Sequence, residues 1–154
     1  MLMKSTSKLE FYQDIINKTH DAFREFLVHL PEEILDWKLS ENLNSVRWII
    51  EHIINDQMWI ANVIMENNGE EYHFEEGYGQ YSLEQIIEKY DEMFIGIEEK
   101  FTDLTVENLT EARMYKEYSL SVEEWLFEYI HHLNKHSGEI NLILTAWKRK
   151  KRSL

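Results

Sequence analysis

The chain has no cysteine. Its absence removes disulfides, thiolate metal sites and a cysteine nucleophile, and it agrees with a reducing, cytoplasmic setting. Proline occurs once and glycine five times, and neither a low-complexity segment nor an internal repeat is present. No apolar run approaches the roughly 20 residues that span a bilayer. The N-terminal "MLMKSTSKLEFY" lacks the continuous apolar segment of a signal peptide. Positive charge is scarce: 16 Lys and Arg stand against 29 Asp and Glu, for a net charge of -13. Five cations are gathered in "KRKKR" at 148–152, so the rest of the chain is more acidic still and repels nucleic-acid phosphates. The expectation is a soluble, cytoplasmic protein with no nucleic-acid or membrane partner. The basic tail, 148–154, could touch an anionic surface; cations after a long helix also oppose its negative end and stay solvated. No specific role is assigned to it.

What is present is apolar and aromatic, 44% and 13% of the 154 residues, with five tryptophans. That suffices for the core of a single domain spanning 1–154. Four segments carry helical periodicity. The first, about 5–30, places Leu9, Tyr12, Ile15, Ile16, Phe23, Phe26 and Leu27 at three- and four-residue steps, and Pro31 stops it. The second, about 45–66, follows "SENLNS", where Asn44 or Ser45 can cap it. The third, about 82–101, and the fourth, about 121–150, open on capping boxes formed by Ser82 with Gln85 and Ser121 with Glu124. With no strand pattern, the fold class expected is all-α, a four-helix bundle. Its two long connections, 67–81 and 102–120, either cross over in solvent or lie across an end of the bundle beside a pocket.

The fourth helix carries three histidines in "YIHHLNKHSGEI". An ideal helix turns about 100° per residue, so His132 and His136 lie about 40° apart on the stripe shared with Trp125, Tyr129, Ile140 and Ile143, while His131 faces outward. Neutral imidazoles one turn apart can grip one cation. Boundary histidines satisfied by hydrogen bonds have the same spacing, and the pair alone does not decide. On the second helix, His52 flanks a narrow polar strip formed by Glu51, Asn55 and Asn62, with Asp56 one turn later. Three inward-leaning imidazoles on two helices match the open, three-nitrogen type of catalytic metal site. His20 and His29 have no partners at ligand spacing, and His73 lies in a connection. Trp48, Trp59, Trp125 and Trp147 read as core. There is no phosphate-binding glycine pattern, and no serine has a nucleophile context.

At these residues the chain resembles the DinB/YfiT-like metalloprotein superfamily. "LNSVRWIIEHI" is similar to the start of that family's second helix, and "YIHHLNKHSGEI" to its fourth-helix signature. "LDWKLSENLNS" matches its tryptophan before the second helix. The resemblance implies a four-helix bundle, often dimeric, that holds a divalent metal through His52, His132 and His136. It also implies a class that includes thiol-dependent transferases and isomerases. Zinc, nickel and iron all suit imidazole donors. The family often has glutamine where this chain has Glu139, which could orient an imidazole, bind metal or act as a base, or simply be an exposed carboxylate. Asp56 is the other carboxylate placed to move protons, and Tyr129 could donate to a bound anion or pack in the core. The function expected is a metal-dependent transferase using a low-molecular-weight thiol, or a metal-dependent hydrolase. The alternative is a non-catalytic binding or regulatory protein with a structural or degenerate metal site.

Overall fold

The computed structural model describes residues 7–66, 79 and 81–153. Four helices dominate: α1 (Lys8–Val28), α2 (Val46–Glu66), α3 (Leu83–Phe101) and α4 (Val122–Arg152). The starts follow local chemistry. At Ser82 and Ser121 the hydroxyl accepts from the amide three residues on, at 3.2 Å in both, and the Gln85 or Glu124 side chain reaches back to the serine amide. Ser7 and Glu10 form a third such box in front of α1, at a start that the periodicity alone had put near residue 5. Of the two candidate caps before α2, Ser45 does the work, its Oγ accepting from the Trp48 amide at 3.2 Å. The helix before Pro31 ends at Val28, and the proline opens a short 3-10 turn, Glu32–Ile34.

Packing follows a square. Both α1 and α2 pack against α3 and α4, so α1 and α2 occupy opposite corners. On α2, Ile50, Ile53, Ile54 and Ile64 are all fully buried. α2 and α4 run antiparallel, since Trp59 meets Trp125, Gln57 meets Tyr129 and His52 meets His132 and His136. The basic residues Arg149 to Arg152 form the last turn of α4, where their charge opposes the helix's negative end. No described helix is long and apolar enough to cross a membrane.

The expectation of no strands fails at one place. Within 102–120 the chain forms a 3-10 turn, Glu107–Thr110, and then a hairpin of β1 (Ala112–Tyr115) and β2 (Tyr118–Ser121), paired antiparallel from Ala112 with Ser121 to Tyr115 with Tyr118. Lys116 takes the left-handed conformation at φ 51° to close the turn. Arg113 Nε donates to the Ile64 carbonyl at 2.8 Å, satisfying an end of α2, and the Arg113 carbonyl accepts from Trp125 Nε1 at 3.1 Å. Tyr115 packs edge-on against Trp59. The second connection therefore covers the end of the bundle where α2 finishes and α4 begins. The connection 67–81, with His73, lies almost wholly outside the described residues.

Candidate metal centre

Two helix faces build the site. His52 comes from the first half of α2, and His132 and His136 from consecutive turns of α4. Their ring centroids are 5.0 Å (His52–His132), 4.7 Å (His52–His136) and 4.5 Å (His132–His136) apart. The Nε2 atoms of His52 and His132 are 3.2 Å apart, and one nitrogen from each ring falls within 4.8 Å of the others. Tetrahedral donors about 2.0–2.1 Å from a zinc ion stand roughly 3.3 Å from one another. The donor set fits a small divalent cation, and the three histidines expected to meet do meet.

The outward nitrogens are also placed. His52 Nδ1 lies 3.3 Å from Asp56 Oδ1, and His136 Nδ1 lies 2.5 Å from Glu139 Oε2. A carboxylate there holds the proton on Nδ1 and turns the lone pair of Nε2 toward the cluster. The second Asp56 oxygen is 3.2 Å from His132 Nε2, so this carboxylate borders the point where the rings converge. Burial pushes the pKa values of His52 and His136 below the ordinary histidine range; Asp56 and Glu139 respectively act against that shift. Neutral imidazole is the form that binds metal. Side-chain exposure declines from 27% at His52 through 17% at His132 to 9% at His136, so the cluster opens to solvent on the His52 side.

Tyr129 is not part of this cluster. It is buried, and its hydroxyl lies 2.5 Å from His20 Nε2 of α1. His20 itself is far from incidental: Tyr90 Oη sits 2.6 Å from its Nδ1, and Phe94 stacks on its face. Trp48 also departs from expectation. It is 46% exposed and stacks on His52, with ring centroids 5.0 Å apart. Sequence reasoning missed Gln57, which is fully buried, donates to the Tyr129 carbonyl at 3.2 Å and lies 3.4 Å from His132 Nδ1. A lone amide on the stripe of Ile50, Ile53 and Ile64 was the signal available.

Beside the cluster, the segment before α2, the start of α2 and α4 line a cleft of about 170 Å³. Leu39, Leu43, Ile49, Leu142 and Ile143 give it apolar walls, and Glu139 lines it while holding His136.

A family profile of the DinB superfamily matches residues 15–140, which include every histidine of the cluster. The chain belongs to the DinB superfamily. No curated protein matches the sequence. Solved structures agree on the fold. A DinB-like protein of Bacillus cereus superposes with a TM-score of 0.72 at 17% identity, covering 89% of this chain and 91% of that one. A DinB-like protein of Bacillus subtilis gives 0.69 at 19% identity, covering 88% and 92%. A mycothiol-dependent maleylpyruvate isomerase gives 0.66 at 12% identity; 89% of this chain aligns with 62% of that larger one. The DinB bundle expected from the sequence is thus the fold observed, with the hairpin added to it.

Proposed function

We propose that this DinB protein is a divalent-metal-dependent enzyme that uses a low-molecular-weight thiol to transfer a group to, or rearrange, a small substrate. One observation carries the reading: three imidazoles direct one nitrogen each to a common point, on a side open to solvent and next to an apolar cleft. A closed structural site needs four protein donors; the protein donors here are three rings with Asp56 at the edge. When bound, a divalent ion supplies positive charge that lowers the pKa of a thiol or water and polarises a carbonyl.

The chain's own residues divide the remaining work. His52, His132 and His136 would hold the ion, and Glu139 fixes the His136 ring. Asp56, with one oxygen on His52 and the other facing the cluster, is placed to take a proton from an incoming thiol. The cleft lined by Leu43, Ile49 and Leu142 receives the apolar part of the substrate. The thiol enters this reading from the isomerase that shares the fold and is mycothiol-dependent. The same donors would serve hydrolysis, with Asp56 as the base toward water. Zinc, nickel or iron would satisfy the donor set, and the homodimer implied by the resemblance belongs to the proposal too.

Cobalt-loaded protein offers the test. Titration with 2-mercaptoethanol is expected to add a thiolate-to-metal absorption band that saturates, and Asp56→Asn is expected to shift its appearance to higher pH. Tight, stoichiometric cobalt with no spectral response to thiol would instead end the thiol-transfer reading.

A further inference from the structure

We infer that Gln57 is a positioning residue for His132, with its amide oxygen serving as the acceptor that lets His132 turn Nε2 toward a cation. The inference rests on the metal-centre reading above. A neutral imidazole carries one proton, and a ring that gives its Nε2 lone pair to a cation keeps that proton on Nδ1. The Nδ1–H then needs an acceptor, as histidine ligands in metal sites regularly have. His52 has Asp56 at that position and His136 has Glu139. At His132 the position is taken by Gln57, 3.4 Å away.

Three features single out this amide. Gln57 is fully buried on a face otherwise built of isoleucine, where a leucine would fill the same space without desolvating a polar group. Its Oε1 is buried with no hydrogen-bond partner, although buried polar atoms are paired as a rule. Its Nε2 lies between the Tyr129 carbonyl, at 3.2 Å, and His132 Nδ1. An amide presents either a donor or an acceptor to the same neighbour, depending on which end faces it. Turning the oxygen toward Nδ1 gives the orphaned acceptor its partner at the cost of the Nε2 hydrogen bond to the Tyr129 carbonyl, which keeps the backbone donor that α4 itself supplies.

The choice of amide over a third carboxylate has a consequence for chemistry. An amide oxygen accepts the proton without adding charge, so the ring it steadies is a weaker donor than the two held by carboxylates. A cation held this way keeps more of its positive charge for whatever occupies the open side.

Chelator competition for Zn2+ on untagged protein tests the assignment with no reference to activity. Gln57→Leu is expected to weaken Zn2+ affinity roughly 10- to 100-fold, with the melting midpoint in EDTA unchanged or raised. Gln57→Glu, which keeps an acceptor at the same place, is expected to bind as tightly as the wild type or more so. In a His132→Ala background, Gln57→Leu should have no further effect on affinity. Equal affinities of Gln57→Leu and the wild type would overturn the inference, as would equal weakening in both Gln57 variants. Failure of the wild type itself to bind Zn2+ is a different result, and it would remove the metal reading along with the inference. Long-range 1H–15N spectra of the zinc-loaded wild type give a second readout that depends on no variant. A proton on Nδ1 of His132 supports the assignment, and a proton on its Nε2 overturns it.

Discussion

Histidines serve two purposes in this bundle, and the partners of the ring nitrogens separate them. Both nitrogens of His20 are committed, to the hydroxyls of Tyr129 and Tyr90 at 2.5 and 2.6 Å. Burial pushes its pKa down to about 3. An unfolded chain protonates the same ring near pH 6.5. Below that value the unfolded state takes up a proton that the folded state refuses, so this source of stability is complete above pH 6.5 and drains as pH falls toward 3. The slope is about 1.4 kcal/mol per pH unit. His20→Gln should lower stability at pH 7.5 and flatten the loss between pH 6.5 and 5; urea unfolding at three pH values measures it, and an unaltered slope would contradict the burial argument. The cluster histidines instead commit one nitrogen and reserve the other. Glu139→Ala removes the partner of His136 and is expected to weaken metal binding roughly 10- to 100-fold, as read by the same chelator competition. Since the Glu139 side chain is 46% exposed, the metal-free fold should change by less than about 0.5 kcal/mol.

At the scale of elements, capping serine and apolar period made the helices legible, because both signals are local. Ser82 and Ser121 could be read as caps from the residue three positions later, and the structure places them there. Ser121→Ala should cost about 1 kcal/mol, measured as a shift in the urea midpoint without a change in slope; an effect near zero would mean that the hairpin leading into α4 holds the start by itself. That hairpin was not legible. Its strands are four residues each, and Lys116 and Glu117 stand where Asn-Gly would announce a two-residue turn. What holds it is tertiary: Arg113 on the Ile64 carbonyl and Tyr115 on Trp59. Trp48 was misread for a related reason. Its spacing is that of a core residue, yet it sits where α2 borders the open side of the cluster, stacked on His52.

For the molecule as a whole, the site is the place where the first half of α2 meets the middle of α4. His132 and His136 were legible as a pair because one turn separates them. His52 stood beside the polar strip of its own helix, which made it a candidate third ring, and the family resemblance assigned it the ligand role, since no spacing within one helix connects residue 52 to 132. Asp56 and Glu139 followed from their distance to those ligands. Gln57 and the Leu43–Ile49–Leu142 cleft arise only from the crossing of helices far apart in sequence, and no local pattern encodes that. A cation shared by two helices should also stabilise the whole fold. At a hundred times its dissociation constant it should raise the melting midpoint on the order of 5–10 °C. EDTA should reverse the shift, and His132→Ala should abolish it. Sedimentation equilibrium checks the proposed homodimer, which should sediment at twice the 18.7 kDa of one chain; a mass of one chain at all concentrations would refute it.

The most direct measurement is anomalous diffraction at the zinc, nickel and iron edges from crystals of untagged protein grown with no added metal. One peak is expected about 2.0–2.1 Å from a nitrogen of each of His52, His132 and His136, with solvent on the side facing His52. Rings that meet around no anomalous peak, or that are held apart by hydrocarbon, would contradict it.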